Sequence, residues 1–257
     1  MFVPGNRPER FDKAAASGAD CVILDLEDAV SVQDKDSARA SVAAYLEQDR
    51  HAVCLRVNGV GTPWFEDDLA LCTLPGVSSV MLPKAESLDA VNHVTGRLAG
   101  NIPVLPFIES AHGYTNMREI ADAHQVQRLV FGVLDFILDL GVEAQGDEIN
   151  SVRLQMTLTS RLAEIAAPVE GVFQDIKDLA SLQEDTMRAR RLGFGARLCV
   201  HPDQVAVVNA CFQFTDAEID WARRVIAAAD ASRGGVIAVD GKMVDRPVIE
   251  KARRILK

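Results

Sequence analysis

Residues 20–28 read Asp-Cys-Val-Ile-Leu-Asp-Leu-Glu-Asp, an apolar run that ends in a cluster of carboxylates. Alternation along a strand places Asp25 and Glu27 on the same side as Ile23, and Asp28 on the opposite side. Before its acidic end the run is apolar on both faces, as in a parallel sheet that is covered by helices. The stretch therefore predicts a buried strand with an acidic C-terminal end.

Seven further apolar, β-branched runs share this pattern. They are FVP from Phe2, AVCLRVN from Ala52, SVMLPK from Ser79, IPVLPFIES from Ile102, RLVFGVLD from Arg128, VEGVFQDI from Val169 and ARLCVHP from Ala196. The runs begin roughly 20 to 40 residues apart, which leaves room for a strand and a returning helix. Eight such units predict an α/β protein with a closed (β/α)8 TIM barrel rather than an open doubly wound sheet.

Helical periodicity occupies most of the spaces between the runs. The predicted helices are Glu9 to Ser17, Asp34 to Gln48, Ser87 to Leu98, Asn116 to His124, Ser151 to Ala166, Leu179 to Leu192 and Asp203 to Cys211. The barrel is thus expected to span residues 1–212.

Residues 213–257 are expected to form a C-terminal helix, a lid-like arm and a terminal helix. Thr215 opens a Thr-Asp-Ala-Glu capping box at the start of the first helix. The extended arm, RGGVIAVDGKMVDRP at 233–247, contains three glycines, and the terminal helix is predicted from Val248. Such an arm suits a lid or a segment swapped between subunits.

Composition narrows the class of protein. The net charge of −10 argues against a nucleic-acid partner, because a phosphate-binding surface needs clustered Lys and Arg. No apolar run approaches the roughly 20 residues that span a bilayer, and no leader pattern is present, so we expect a cytoplasmic protein without a membrane partner. The five cysteines are widely spaced and form no CxxC, which predicts reduced, mostly core thiols.

The active site of such a barrel lies at the C-terminal ends of its strands. Glu109 and Asp135 end the fifth and sixth runs, so their carboxylates can converge from adjacent strands. Two carboxylates with open water positions suit Mg²⁺. The alternative is that they cap the following helices or pair with Arg128 or Arg153.

Three other sets of polar residues lie at the predicted mouth. Arg56 offers a planar fork for a substrate carboxylate or an enolate oxygen, or else a salt bridge to Asp25 or Glu27. His201, before Pro202, is more typical of a helix cap than of a catalytic base. The basic trio Arg7, Arg10 and Lys13 either holds phosphates or forms a solvated helix face. The sequence contains no GxGxxG, P-loop, GxSxG or HExxH motif. This excludes a dinucleotide-binding protein, a P-loop protein, a serine hydrolase of the GxSxG type and a zincin.

Seven strings occur in order over nearly the whole chain: FVPGNRPERFDKA, GAD followed by VILDLEDAV, LRVN, MLPKAE, FGVLD followed by DLG, HPDQ and DGKMVDRP. Together they resemble the citrate lyase beta-subunit-like family of the HpcH/HpaI aldolase/citrate lyase superfamily, which includes citramalyl-CoA, malyl-CoA and citryl-CoA lyases. The resemblance implies a (β/α)8 barrel that binds Mg²⁺ and an acyl-CoA or 2-keto acid substrate. It also implies a homotrimer or hexamer with shared active sites.

The resemblance assigns roles to individual residues. Glu109 and Asp135 match the family's magnesium ligands, and Arg56 matches its substrate-binding arginine. Asp245 falls on the acidic residue that such trimers present to the neighbouring subunit's active site. Five residues fall on positions that contact the CoA thioester in relatives: Phe2, Arg7, Lys13, Val200 and His201. In GFGARLCVHP, a basic contact that relatives make from a Gly-Lys pair is expected to move to Arg197.

The implied reaction is cleavage of a 3-hydroxyacyl-CoA of the citramalyl-CoA or malyl-CoA type to acetyl-CoA and a 2-keto acid, or the reverse condensation. Asp245 and Arg56 are the expected catalytic residues, and some relatives hydrolyse the thioester instead. The alternatives are a citryl-CoA lyase subunit of a citrate lyase complex, a CoA-free class II pyruvate aldolase, and a non-catalytic metal-binding assembly subunit. Asp245, Arg7 and Lys13 favour the CoA lyase, because a CoA-free aldolase needs none of them.

Overall fold

The structure is a computed structural model that describes residues 1–48, 51–98, 100–143, 146–232 and 237–256. The chain divides into two compact units, Met1–Phe212 and Gln213–Lys257. Among the described residues, no helix combines the length and the apolar character needed to cross a bilayer. All five cysteines are free thiols, and Cys21 is the exposed one, so the expectation of mostly buried thiols is confirmed.

The first unit is built on eight parallel strands that pair in sequence order. They are β1 (Phe2–Pro4), β2 (Val22–Asp25), β3 (Val53–Arg56), β4 (Val77–Leu82), β5 (Val104–Ile108), β6 (Val130–Phe131), β7 (Val169–Glu170) and β8 (Ala196–Arg197). A hydrogen bond of 2.9 Å from the Phe2 amide to the Cys199 carbonyl joins the first strand to the segment after the last. The predicted (β/α)8 TIM barrel is confirmed.

Within the described residues, ten α-helices accompany these strands. They are α1 (Phe11–Ala15), α2 (Lys35–Leu46), α3 (Phe65–Leu71), α4 (Leu88–Thr95), α5 (Ala111–Thr115), α6 (Met117–Ala121), α7 (Val133–Leu140), α8 (Asn150–Leu162), α9 (Leu179–Arg191) and α10 (Pro202–Phe212). Each predicted helix overlaps one of them, whereas α3, α5 and α7 were not predicted. The sequence predicts the α7 segment as part of an apolar strand run, because its side chains are apolar on most sides.

Side chains of alternate strand residues fill the barrel. Ile23, Met81 and Phe107 belong to an inner cluster to which every strand or its extension contributes. Leu24 and Leu26 face the other way and belong to the larger core that contains the helices. The alternation predicted from residues 20–28 is confirmed, and it directs Asp25 and Glu27 inward above Ile23. Burial of each such aliphatic side chain contributes about 1.5–3 kcal/mol.

The second unit has its own small core. It contains α11 (Asp216–Ala231), β9 (Ile237–Val239), β10 (Lys242–Val244) and α12 (Arg246–Ile255), and the two strands form an antiparallel hairpin. The predicted capping box at Thr215 is present. Residues 233–236 of the predicted arm lie outside the described residues. The terminal helix begins at Arg246, two residues before the predicted start, because Asp245 caps it.

Candidate active site

Arg56, at the end of β3, is held in a bidentate ion pair by Asp25 of β2. Its Nε donates to Asp25 Oδ1 at 2.7 Å and its Nη2 donates to Oδ2 at 2.6 Å. Its Nη1 lies 2.9 Å from Glu27 Oε2, but this oxygen accepts no hydrogen bond, so the contact is ionic and poorly aligned. The salt-bridge alternative considered for Arg56 is therefore formed. Nη1 is therefore the nitrogen of the guanidinium that is least engaged in hydrogen bonds.

Two aromatic rings fix the plane of this guanidinium. The Arg56 Cζ lies 4.7 Å from the ring centre of Phe2 and 5.8 Å from that of Phe107. A guanidinium that stacks on rings and binds a carboxylate with two nitrogens cannot be replaced by a lysine, whose charge is a single point. The arginine side chain is 11% exposed, so it still reaches solvent at the barrel mouth.

Glu109 follows β5 directly and is almost completely buried, at 5% exposure. Its Oε1 accepts a hydrogen bond of 2.6 Å from the backbone amide of Lys84, which follows β4. Lys84 has a φ of +47°, a left-handed conformation that is uncommon for a residue with a side chain. Its backbone is thus turned to present an amide, and not a side chain, to the carboxylate.

Asp135 does not end the sixth strand, and this part of the sequence interpretation is wrong. Strand β6 stops at Phe131, and Asp135 lies half-buried in the first turn of α7, which begins after Gly132. Gly132 packs directly against the Glu109 carboxylate, so the approach of α7 to Glu109 depends on the missing side chain. The alternative pairing with Arg153 is also wrong, because Arg153 binds the buried Glu170 at 2.8 Å.

The carboxylates at this mouth repel one another. Burial raises the pKa of Glu109 to about 7; the Lys84 amide opposes this shift, and the charges of Glu27 and Asp135 add to it. Burial likewise raises the pKa of Glu27 to about 7, against the attraction of Arg56. A divalent cation would relieve this repulsion, so the site suits a bound metal ion.

The donor set indicates which cation fits. Within the described residues, no three His, Cys, Asp or Glu side chains come together as a metal cage. Two carboxylates, Glu109 and Asp135, leave most of a coordination shell to water and substrate. Mg²⁺ is bound in this way, through one or two carboxylates and several waters, whereas structural zinc requires four protein ligands.

Arg7 follows β1 and Lys13 lies in α1, and both side chains are exposed. Neither forms an ion pair within the described part of the chain. Arg10, which lies between them in the sequence, contacts Glu9 at 3.8 Å. Both interpretations offered for the basic trio therefore remain compatible with the geometry.

His201 caps α10, as the local sequence predicted. Its Nδ1 accepts a hydrogen bond of 3.2 Å from the Asp203 amide. Val200 is 40% exposed, and its amide donates to the buried Gln204 at 2.9 Å. Both residues are accessible enough to contact a ligand.

The expectation of a basic contact at Arg197 is wrong. Ala196 and Leu198 pack with the inner cluster, so alternation turns Arg197 outward, toward α9. There its side chain, which is 2% exposed, binds Asp185 at 2.6 Å. Asp245 is exposed in the second unit, and its Oδ1 accepts a hydrogen bond of 3.3 Å from the Val248 amide at the start of α12.

A buried polar network beneath the mouth was not predicted. Lys35 Nζ, at the start of α2, donates to the carbonyls of Leu26 and Glu27 at 2.7 and 2.8 Å and to Asn58 Oδ1 at 2.7 Å. Asn58 in turn donates through its backbone amide and its Nδ2 to Asp68 Oδ2 at 2.9 and 2.6 Å. One sequence signal could have revealed this network: Lys35 lies on a face of α2 whose other residues are apolar or small.

Comparisons with known proteins identify the family of the chain. The family model for HpcH/HpaI aldolase/citrate lyase matches residues 1–202. A citrate lyase subunit beta from Leuconostoc mesenteroides subsp. cremoris is 33% identical, over 100% of this chain and 91% of its own length. A (3S)-malyl-CoA thioesterase from Cereibacter sphaeroides is 32% identical, over 100% of this chain and 92% of its own length.

Among solved structures, protein CitE from Mycobacterium tuberculosis in complex with magnesium, acetoacetate and coenzyme A superposes with a TM-score of 0.87. It is 35% identical, and the match covers 99% of this chain and 95% of that one.

Proposed function

Because the chain belongs to the HpcH/HpaI aldolase/citrate lyase family, we propose that it is a Mg²⁺-dependent carbon–carbon lyase that cleaves a 3-hydroxyacyl-CoA thioester. The products would be acetyl-CoA and a 2-keto acid, and the reverse condensation uses the same groups. The observation that carries the proposal is that Arg56 and Asp135 lie close enough to Glu109 for both of their charges to act on the pKa of its carboxyl. A metal cation and a fixed guanidinium could together bind the carboxylate of a hydroxy acid.

Glu109 and Asp135 would hold the metal ion. When bound, Mg²⁺ supplies a Lewis acid that polarises the oxygen destined to become the ketone. The Lys84 amide holds Glu109 in place, and the close contact with Gly132 fixes its rotamer. Support for magnesium comes from the two-carboxylate donor set and from the magnesium in the CitE complex.

Arg56 would orient the carboxylate of the substrate. Asp25 occupies its Nε and Nη2, and the poorly aligned contact with Glu27 leaves Nη1 available. During cleavage the substrate hydroxyl gives its proton to solvent water and becomes the ketone as the carbon–carbon bond breaks. The electrons of that bond pass to the acetyl-CoA enolate, which then needs a proton donor.

Asp245 is proposed as that donor, and as the base in the reverse condensation. It is exposed in the second unit, so it can be offered to another copy of the chain. We therefore propose a homotrimer or hexamer with shared active sites, without an obligatory acyl-carrier partner. Phe2, Arg7, Lys13, Val200 and His201 are proposed to contact the CoA thioester. The five free thiols support a reducing, cytoplasmic location.

The test is a coupled assay of the purified protein with Mg²⁺ and citramalyl-CoA, malyl-CoA or citryl-CoA. We expect one thioester to be cleaved, and activity to be abolished in Glu109→Ala and strongly reduced in Asp245→Asn. Failure to cleave any of the three despite measurable Mg²⁺ binding would favour the CoA-free aldolase or the non-catalytic subunit.

Thioester hydrolysis is the second candidate, because a (3S)-malyl-CoA thioesterase is 32% identical over the whole chain. The same assay separates the two activities. A lyase releases acetyl-CoA and a keto acid from malyl-CoA, whereas a thioesterase releases free CoA and leaves malate.

A further inference from the structure

We infer that Lys35 is a positioning residue, which fixes the acidic turn after β2 and through it the guanidinium of Arg56. The inference rests on the proposed function for its catalytic consequence, but its structural part can be tested without any substrate. Lys35 is 6% exposed, and its ammonium makes three hydrogen bonds to buried acceptors. The reaction proposed above gives it no chemical step.

The first step of the argument concerns the two carbonyls that Lys35 binds. Leu26 and Glu27 lie just beyond the last paired residue of β2, so the strand ladder does not hold these carbonyls. Their separation from Lys35 Nζ is 2.7 and 2.8 Å. Each carbonyl has one further donor, Asn58 Nδ2 at 2.9 Å for Leu26 and the Val30 amide at 3.0 Å for Glu27. The ammonium, however, binds both carbonyls and Asn58 Oδ1 at once. Loss of hydrogen bonds at buried acceptors is costly, so removal of the ammonium should loosen this turn.

The second step connects the turn to Asp25. The Glu27 amide donates to Asp25 Oδ1 at 2.9 Å, and the Ala29 amide donates to Oδ2 at 3.3 Å. These are the two oxygens that bind Arg56 Nε and Nη2. The carboxylate therefore keeps its orientation only while residues 27–29 keep theirs. Lys35 acts on Arg56 through this chain of contacts and touches neither Arg56 nor the substrate site.

The third step concerns what holds Lys35 itself. Asn58 Oδ1 accepts the third hydrogen bond of the ammonium, and Asp68 binds both the amide and the Nδ2 of Asn58. Arg39 Nε donates to the other oxygen of Asp68 at 2.9 Å. The network thus ties the ends of β2 and β3 to α2 and α3, so the turn is fixed from outside the barrel.

The experiment uses full-length Lys35→Met, which keeps the aliphatic stem and removes the ammonium. The matched control is Arg153→Met, which removes a buried cation elsewhere in the barrel, one that pairs with the carboxylate of Glu170 at the end of β7. The readout is the solvent exchange of the Arg56 Nε–H in protein labelled with ¹⁵N-arginine. That resonance is identified by its absence from Arg56→Lys. In parallel, kcat/KM is measured with whichever thioester the wild-type protein cleaves.

In folded Lys35→Met we expect faster solvent exchange of the Arg56 Nε–H. We also expect kcat/KM to fall by about tenfold or more, because a misplaced Arg56 would orient the substrate poorly for the reaction. Arg153→Met should keep slow exchange. Unchanged exchange in Lys35→Met, or an equal acceleration in Arg153→Met, would overturn the inference. If Lys35→Met does not fold, the milder Asp68→Asn is judged by the same criterion. If the wild-type protein cleaves no thioester, the proposed function fails while the exchange result still decides the role of Lys35.

Discussion

Gly132 lies directly against the carboxylate of Glu109: a methyl group on its α-carbon would come within 2.5 Å of Glu109 Oε2. Real side chains do not tolerate such a contact, so either the start of α7 or the Glu109 carboxylate would have to move. The short distance joins the two proposed metal ligands, because Asp135 lies in the helix that Gly132 precedes.

Gly132→Ala should therefore weaken Mg²⁺ binding by at least about tenfold, since a displaced carboxylate no longer meets the geometry of the ion. Isothermal titration calorimetry with MgCl₂ measures this directly. Gly59→Ala is the control, because a methyl group there meets open space at a buried position of the same barrel end. Equal Mg²⁺ affinity in both variants would contradict the importance of the contact.

Glu109→Gln should stabilise the metal-free protein at pH 8 and not at pH 4. The pKa of Glu109 is raised to about 7, so between pH 4.5 and 7 the unfolded chain loses this proton before the folded chain does. Stability conferred by the protonated carboxyl is complete at the lower limit of this window and is lost as the pH rises through it. Above pH 7, removal of the buried charge should add about 1–3 kcal/mol to the free energy of unfolding.

Urea unfolding with EDTA at the two pH values measures this difference. Glu119→Gln, at an exposed position, is the matched control and should show no such pH dependence. A gain of the same size at pH 4 and pH 8 would mean that ionisation is not the cause.

Arg56→Lys should lower kcat/KM by about a hundredfold or more, because the lysine cannot reproduce the two-nitrogen contact or the stacking between rings. It should also lower stability by roughly 1–3 kcal/mol, since Asp25 is 1% exposed and loses a hydrogen bond. Arg118→Lys, which alters an exposed pair with Asp122, provides the control for both quantities. An unchanged kcat/KM in Arg56→Lys would contradict the proposed role of Arg56 in binding the substrate.

Arg7→Ala and Lys13→Ala should each raise the KM for the thioester several-fold and reduce its dependence on salt, if these cations bind the phosphates of CoA. Arg10→Ala should have a smaller effect, because Arg10 already contacts Glu9. Steady-state kinetics at low and high KCl concentrations measure both effects. Identical behaviour of the three variants would favour the solvated helix face.

Mixtures of Glu109→Gln and Asp245→Asn should recover activity if active sites are shared. Random assembly of equal amounts of the two variant chains in a cyclic oligomer gives about one quarter of sites with both intact groups. The chains are mixed after mild dissociation, and activity is compared with that of each variant alone. No recovery in verified mixed oligomers would show that Asp245 acts within its own chain or not at all.

The barrel could be predicted because its signals are local. Each strand is a short apolar run, and the inward direction of Asp25 and Glu27 follows from the period of two within residues 20–28. The family resemblance is confirmed as well, since it rests on several ordered motifs. The position of Glu109 at the end of β5 is confirmed too, because Glu109 directly follows a short apolar run.

Asp135 and Lys35 show where such reasoning stops. The stretch around Asp135 is apolar on most sides, so periodicity did not separate the end of β6 from the start of α7. The contacts of Lys35 join residues 8, 9 and 23 positions away, and periodicity reports which face a residue occupies but not its partner across the fold. The direction of Arg197 follows from strand alternation between the inward-facing Ala196 and Leu198, and not from its similarity in residue type to the basic residue of relatives.

The left-handed backbone of Lys84 determines which substitutions position 84 can accept. Its contact with Glu109 is made by a peptide N–H, which every amino acid except proline supplies, so this contact does not depend on the chemical type of the side chain. Conformational preference becomes the property under selection. Asparagine or glycine could replace the lysine with little strain, whereas valine or isoleucine, which strongly disfavour a positive φ, would move the amide away from Glu109. We expect the residues accepted at position 84 to be those that adopt a positive φ easily, whatever their charge.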